Sequence, residues 1–138
     1  MIGVSESRNL GVSEIRQTRE FARTFYDLDV YTKAFALSLA VHRTSLTFPK
    51  IEQYALADQI RRASKGICAN IAEGFAKQQL SKTEFRRFLL IALGSAHEMR
   101  VWTDYCRELG YIDASSSREW AAEYESITRM LQSLIAKL

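Results

Sequence analysis

Helix breakers are scarce in this sequence. Its 138 residues hold one proline, Pro49, and six glycines, so little interrupts the backbone once a helix has started. No alternating stretch bounded by turns calls for a sheet. Cysteine is also rare: Cys68 and Cys106 lie far apart, without the paired spacing of zinc ligands, and read as buried reduced thiols rather than nucleophiles. No apolar run approaches the length of a membrane span, and the start lacks a basic-then-apolar signal pattern, so the expected location is cytoplasmic.

What the sequence does have is an apolar fraction of 47% with 25% charged residues, enough for one helical domain with a real core. The formal charge is +3. Between Lys50 and Lys82 the cations Lys50, Arg61, Arg62, Lys65, Lys77 and Lys82 outnumber Glu52, Asp58 and Glu73, and Arg86 and Arg87 follow. The middle of the chain is therefore basic, which permits contact with nucleic acid without establishing it.

Residues 1–26 read as a polar leader, a tail or weak helix, and residues 27–138 as the domain. Asp29 can cap a first helix whose face is Tyr31, Ala34, Phe35, Leu39, His42 and Leu46. Phe48-Pro49 ends it. A second helix starts at Pro49 or near Tyr54 and runs to about Gln78, with Leu56, Ile60, Ala63, Ile67, Asn70 and Gly74 on its core face. Ser81-Lys82-Thr83-Glu84 is a capping box opening a third helix, along which Phe85, Phe88, Ala92, Ser95, Met99, Trp102, Cys106 and Leu109 form the stripe and Gly110 the stop. The spacing of Ser116 and Glu119 predicts a second box, followed by Trp120, Tyr124, Ile127, Leu131, Leu134 and Leu138. Four amphipathic helices with short connections predict an all-α, antiparallel up-and-down bundle.

The stretch from Ala63 to Ala76 carries polar and flexible residues, Gly66, Asn70, Glu73 and Gly74, where a buried helix should be apolar. A mid-helix Gly costs about 1 kcal/mol relative to Ala, and a buried Asn or Glu needs partners. The expectation is close helix contact around an internal polar network. The same helix presents a second apolar face, Cys68, Ala69, Ile71, Ala72, Phe75 and Ala76, which points to a subunit interface.

Four pieces in order, Phe48-Pro49-x-x-Glu52-x-Tyr54-x-Leu56-x-x-Gln59-Ile60-Arg61-Arg62-Ala63, Asn70-Ile71-Ala72-Glu73-Gly74, Gly94-Ser95-x-x-Glu98 and Leu109-Gly110-Tyr111-Ile112, carry a resemblance to a known family. The chain resembles the four-helix bundle proteins associated with intervening sequences of 23S ribosomal RNA, over residues 28–138. Where that family commonly reads Ser-Ile-Pro, this chain has Gly66-Ile67-Cys68, which removes or softens the implied proline kink. The resemblance implies assembly into a homopentameric ring and no enzyme activity. It also implies kinship with accessory variability determinant proteins of diversity-generating retroelements, which bind nucleic acid and a reverse transcriptase.

Three function classes follow. In a non-catalytic scaffold, a ring of +3 chains would gather Arg61, Arg62, Lys65, Lys77, Lys82, Arg86 and Arg87 into a basic belt for RNA or DNA, with Tyr54, Phe75 and Phe85 nearby as stacking or core aromatics. Without a nucleic-acid ligand the same scaffold would join proteins. A metal-dependent bundle enzyme needs Glu-x-x-His on two helices, which is absent, leaving only Glu73 facing Glu98 as a carboxylate pair. The expectation is instead that Asn70, Glu73, Gly74, Ser95 and Glu98 form a structural polar motif, with no metal and no cofactor. A ribonuclease toxin would carry Arg-x4-His, but Leu37 and Ala92 stand at that spacing before His42 and His97.

Overall fold

The computed structural model describes residues 22–138, so the leader expectation for residues before Ala22 lies outside the described residues. A 3-10 turn at Phe25–Asp27 leads into α1 (Asp29–Ser45), and a second at Lys50–Glu52 into α2 (Leu56–Lys77). Helices α3 (Lys82–Glu108) and α4 (Ala114–Ala136) complete the order. Helix α2 packs on α1 and α3, and α4 on α3 and α1, so four helices enclose one core. Val41, Ile60, Ile67, Ile71, Phe85, Leu89, Met99, Tyr124, Ile127 and Leu131 are fully buried in it. Each such large apolar side chain contributes roughly 1.5–3 kcal/mol. The Tyr124 hydroxyl is buried there without a hydrogen-bond partner among the described residues.

The α2–α3 contact is the most extensive, and Gly74 is the reason it can be so close. A Cβ at Gly74 would lie 2.7 Å from the Phe88 Cβ and 3.3 Å from the Phe85 carbonyl oxygen. The expected close approach is therefore present at Gly74, where Phe75 and Phe85 also pack edge to face. Gly66 is different: a Cβ there would meet nothing nearer than Ser95 Oγ at 3.8 Å.

Helix boundaries follow local hydrogen bonding. Ser81 Oγ accepts from the Glu84 amide at 3.1 Å, as the capping box requires, but the Glu84 carboxylate turns to Arg87 instead of closing the box. At α4 the cap is Asp113, which accepts from the Ser116 amide at 2.7 Å, so the start lies ahead of the Ser116–Glu119 box read from the sequence. Gly110 ends α3 with φ +77°, the left-handed conformation that glycine adopts without strain. Asp29 is the first residue of α1 and not its cap; that position belongs to Leu28, which supplies no side-chain bond.

The α1 face is rotated from the one expected. Val30, Ala34, Leu37 and Val41 are buried, whereas Phe35, Leu39 and Leu46 are exposed and Tyr31 and His42 half-buried. Two apolar stripes are interleaved on this helix, and periodicity alone does not say which one meets the core. The second face of α2 is corrected too: Cys68, Ile71 and Phe75 are buried within the subunit, leaving Ala69 and Ala76 exposed and Ala72 half-buried.

Gly74→Ala is expected to lower stability by about 1–3 kcal/mol, because overpacking against the α3 backbone outweighs the gain in helix propensity. Gly66→Ala, with room for its methyl, should be neutral or stabilising by up to about 1 kcal/mol. Urea midpoints of the two variants check both signs; equal effects would remove Gly74 as the close-contact point.

Candidate nucleic-acid interface

The seven cations singled out in the sequence do not form one belt. Arg62 is 78% exposed and pairs with Asp58 at 2.9 Å, one turn earlier on α2. Lys65 Nζ lies 3.0 Å from His42 Nδ1 across the α1–α2 seam. Lys77 sits over the Phe88 ring at 5.2 Å and Arg87 over the same ring at 4.5 Å, and Lys82 is exposed at the start of α3. Twelve residues separate Lys65 from Lys77, about 18 Å of helix, and the outward residues between them include Ala69, Glu73 and Ala76. Two basic groups result, one towards each end of α2.

Two of the seven are committed to the fold. Arg61 donates through Nη1 to Ser45 Oγ at 2.8 Å and Gln53 Oε1 at 3.2 Å, and through Nη2 to the Gln53 carbonyl at 2.7 Å. Gln53 in turn donates to the Ser45 and Phe48 carbonyls, so one guanidinium and one amide close the α1–α2 connection. Arg86 donates to the Ile135 carbonyl at 3.1 Å, a second donor for an acceptor that the Leu138 amide also reaches in the last turn of α4.

The same end of the bundle joins both connections. Tyr111 donates its hydroxyl to Glu52 at 2.6 Å, and its ring packs on Phe48 at 5.1 Å. That bond holds the phenol above its usual pKa.

The internal polar network is not formed. Asn70 Nδ2 donates to the Gly66 carbonyl of its own helix at 2.7 Å, and Glu73 is exposed. Glu98 is on the outside of α3, where it accepts from Trp102 Nε1 at 2.8 Å, and Ser95 is half-buried. Glu73 and Glu98 are thus not a buried carboxylate pair, and among the described residues no three His, Cys, Asp or Glu side chains converge as metal ligands. Phe75 and Phe85 belong to the core, while Tyr54 is 96% exposed. Burial pushes the thiols of Cys68 and Cys106 up to about 11, well away from nucleophilic thiolates at neutral pH.

Two unlike apolar surfaces face outward. Between α1 and α2 a mainly apolar groove of about 320 Å³ is lined by Phe25, Tyr31, Phe35, Leu39, Cys68, Ala69 and Ala72, together with Ser38 and Lys65. Around the outside of α3 run Leu90, Ile91, Val101, Tyr105 and Leu109, all exposed, with Gly94 open between them. Among the described residues no helix is long and apolar enough to cross a membrane.

The sequence profile of the 23S rRNA-intervening sequence proteins matches residues 26–133. The chain belongs to this family. No curated protein shows significant similarity. A solved structure from Bacteroides thetaiotaomicron, described as a protein of unknown function from the S23 ribosomal protein family, superposes with TM-score 0.70 at 24% identity, over 78% of this chain and 95% of that one. That likeness is one of fold. In this member, the family-like pieces at Phe48–Ala63 and Leu109–Ile112 have a structural meaning, since Phe48, Glu52, Arg61 and Tyr111 are the residues that tie the connections together.

Sequence reasoning missed Ser45, Gln53 and Tyr111 as partners of motif residues, and His42 and Arg43 as members of the basic surface. For Tyr111 the signal was its place, with Glu52, in one ordered set of motif pieces; Ser45 and Gln53 carried none. Arg61→Gln should cost about 1–3 kcal/mol by leaving the Gln53 carbonyl and its neighbours unpartnered, whereas Arg62→Gln should change stability by less than about 0.5 kcal/mol. Thermal or urea unfolding of the two variants separates them, and equal losses would contradict the assigned roles.

Proposed function

We propose that this chain is a non-catalytic cytoplasmic scaffold, an antiparallel up-and-down bundle that closes into a homopentameric ring and binds RNA or DNA through its exposed cations. The observation that carries the reading is the coexistence of two unlike exposed apolar faces with two basic groups on one small bundle. Connections of four residues (78–81) and five (109–113) favour reversal of direction between successive helices. Unlike faces favour head-to-tail contact, which closes into a ring when the rotation permits. The basic groups suit phosphates, and binding of this kind is largely indifferent to sequence. The exposed α3 face also supports a second reading, in which the scaffold receives a protein such as a reverse transcriptase.

Light scattering should give a closed ring, five subunits in size. Ala72→Glu in the α1–α2 groove and Val101→Glu on α3 should each yield monomers with unchanged helix content, since either would desolvate an unpaired charge. A wild-type monomer at micromolar concentration, or variants that still assemble, would refute the ring.

Single-stranded RNA, duplex RNA and DNA compared on one preparation should all bind, more weakly as salt rises. Changing Arg62, Lys65, Lys82 and Arg87 together to Gln should lower affinity for each and reduce the logarithmic salt slope by about 0.7–0.9 per lost phosphate contact. Arg61 and Arg86 stay in place because they hold the fold. Absence of binding at low salt, or binding unchanged in the variant, would favour the protein scaffold.

A further inference from the structure

We propose that His42 and Lys65, flanked by Arg43, form a receptor for one phosphoryl group of a polynucleotide backbone at the α1–α2 seam, occupied most tightly when His42 is protonated. This deepens the nucleic-acid reading and rests on it for the source of the phosphoryl group. The Lys65 ammonium has no lone pair, so its 3.0 Å contact with His42 Nδ1 is a hydrogen bond only if that nitrogen is the acceptor and the ring is neutral, with its proton on Nε2. A proton on Nδ1 would place two cations in contact. An anion between them relieves that conflict, accepting from both.

The surroundings favour an anion. The charges acting on His42 are Lys65 first, then Arg61 and Arg43, all positive, and together with its partial burial they hold the imidazole below its ordinary pKa. On the neighbouring elements, Asp58 is paired with Arg62 and Glu52 is bonded to Tyr111. Arg61 is fixed at the corner by Ser45 and Gln53, so its charge is held in place whatever binds. Ser45 Oγ also donates to the His42 carbonyl at 2.6 Å, which anchors this turn of α1. Lys65 and Arg43 are exposed.

The sign of the pH effect follows from linkage. A bound phosphoryl group favours the imidazolium and raises the His42 pKa, so affinity rises as pH falls through the interval between the bound and free values and is level outside it. Each unit by which the pKa rises corresponds to tenfold tighter binding to the protonated form.

The test is an NMR titration of both histidine rings in the full chain from pH 5 to 8. It is run in chloride, in inorganic phosphate and with a short oligothymidylate, at matched ionic strength. The expected result is a rise of about one unit in the His42 pKa with either phosphoryl probe and no change at His97, with oligothymidylate affinity about tenfold higher at the acid end. His42→Gln should abolish that pH dependence and hold oligothymidylate affinity near the lower, alkaline-end value of the unmodified protein throughout, and Lys65→Gln should raise the His42 pKa in chloride. Oligothymidylate that binds without moving His42, or shifts equal at His42 and His97, would overturn the receptor and leave general nucleic-acid binding standing. Phosphate that moves His42 in a protein that binds no oligothymidylate would support the receptor, identify a free phosphate compound as its ligand, and overturn the nucleic-acid reading.

Discussion

The missing side chain at Gly74 sets the distance between α2 and α3, and much of the molecule depends on it. With no Cβ in the way, the Phe85 carbonyl and the Phe88 Cβ come within contact distance of α2. That approach places Phe75 against Phe85 in the core and brings Lys77 of α2 and Arg87 of α3 over one Phe88 ring. Cations stacked on an aromatic face remain accessible while their stems are ordered, so a packing constraint inside the bundle also organises charge on its surface.

Counting cations along a sequence overstates what a phosphate could meet. Arg61 and Arg86 have the same charge as Arg62, yet Arg61 makes three donations to Ser45 and Gln53, and Arg86 makes one to the Ile135 carbonyl. The Arg61 position suits arginine because one guanidinium can satisfy several fixed acceptors at once. Arg62 and Arg87 differ: each pairs with a carboxylate on its own helix at exposed positions, and surface pairs of that kind are weak enough to exchange for a phosphate.

The helix order and the α4 stripe were legible because Trp120, Tyr124, Ile127, Leu131 and Leu134 leave one apolar face and no competitor. Gly74 and Gly110 were legible for a similar reason: each breaks a local rule that only close contact or a left-handed turn explains. The face of α1 was not, since Val30-Ala34-Leu37-Val41 and Tyr31-Phe35-Leu39 satisfy the same spacing and the larger residues drew the assignment. Asn70 misled for a different reason. A half-buried Asn can satisfy itself on the carbonyl one turn back, so a polar residue in an apolar run does not require a network across the bundle.

Both observations have a place in the proposed assembly. A helix that covers one core stripe and one intersubunit stripe has too many apolar positions for either alone, and its polar residues lie at the boundary between them. Glu98 and Trp102 fit that position: the carboxylate lies among the exposed apolar residues of α3 but already accepts the indole N–H. Covering such a pair leaves the indole donor satisfied, so the polar cost falls on the carboxylate's remaining lone pairs. A neighbouring subunit that offers a donor there would be favoured over one that offers only apolar surface. Apolar area would then supply the association, and this one polar pair its register.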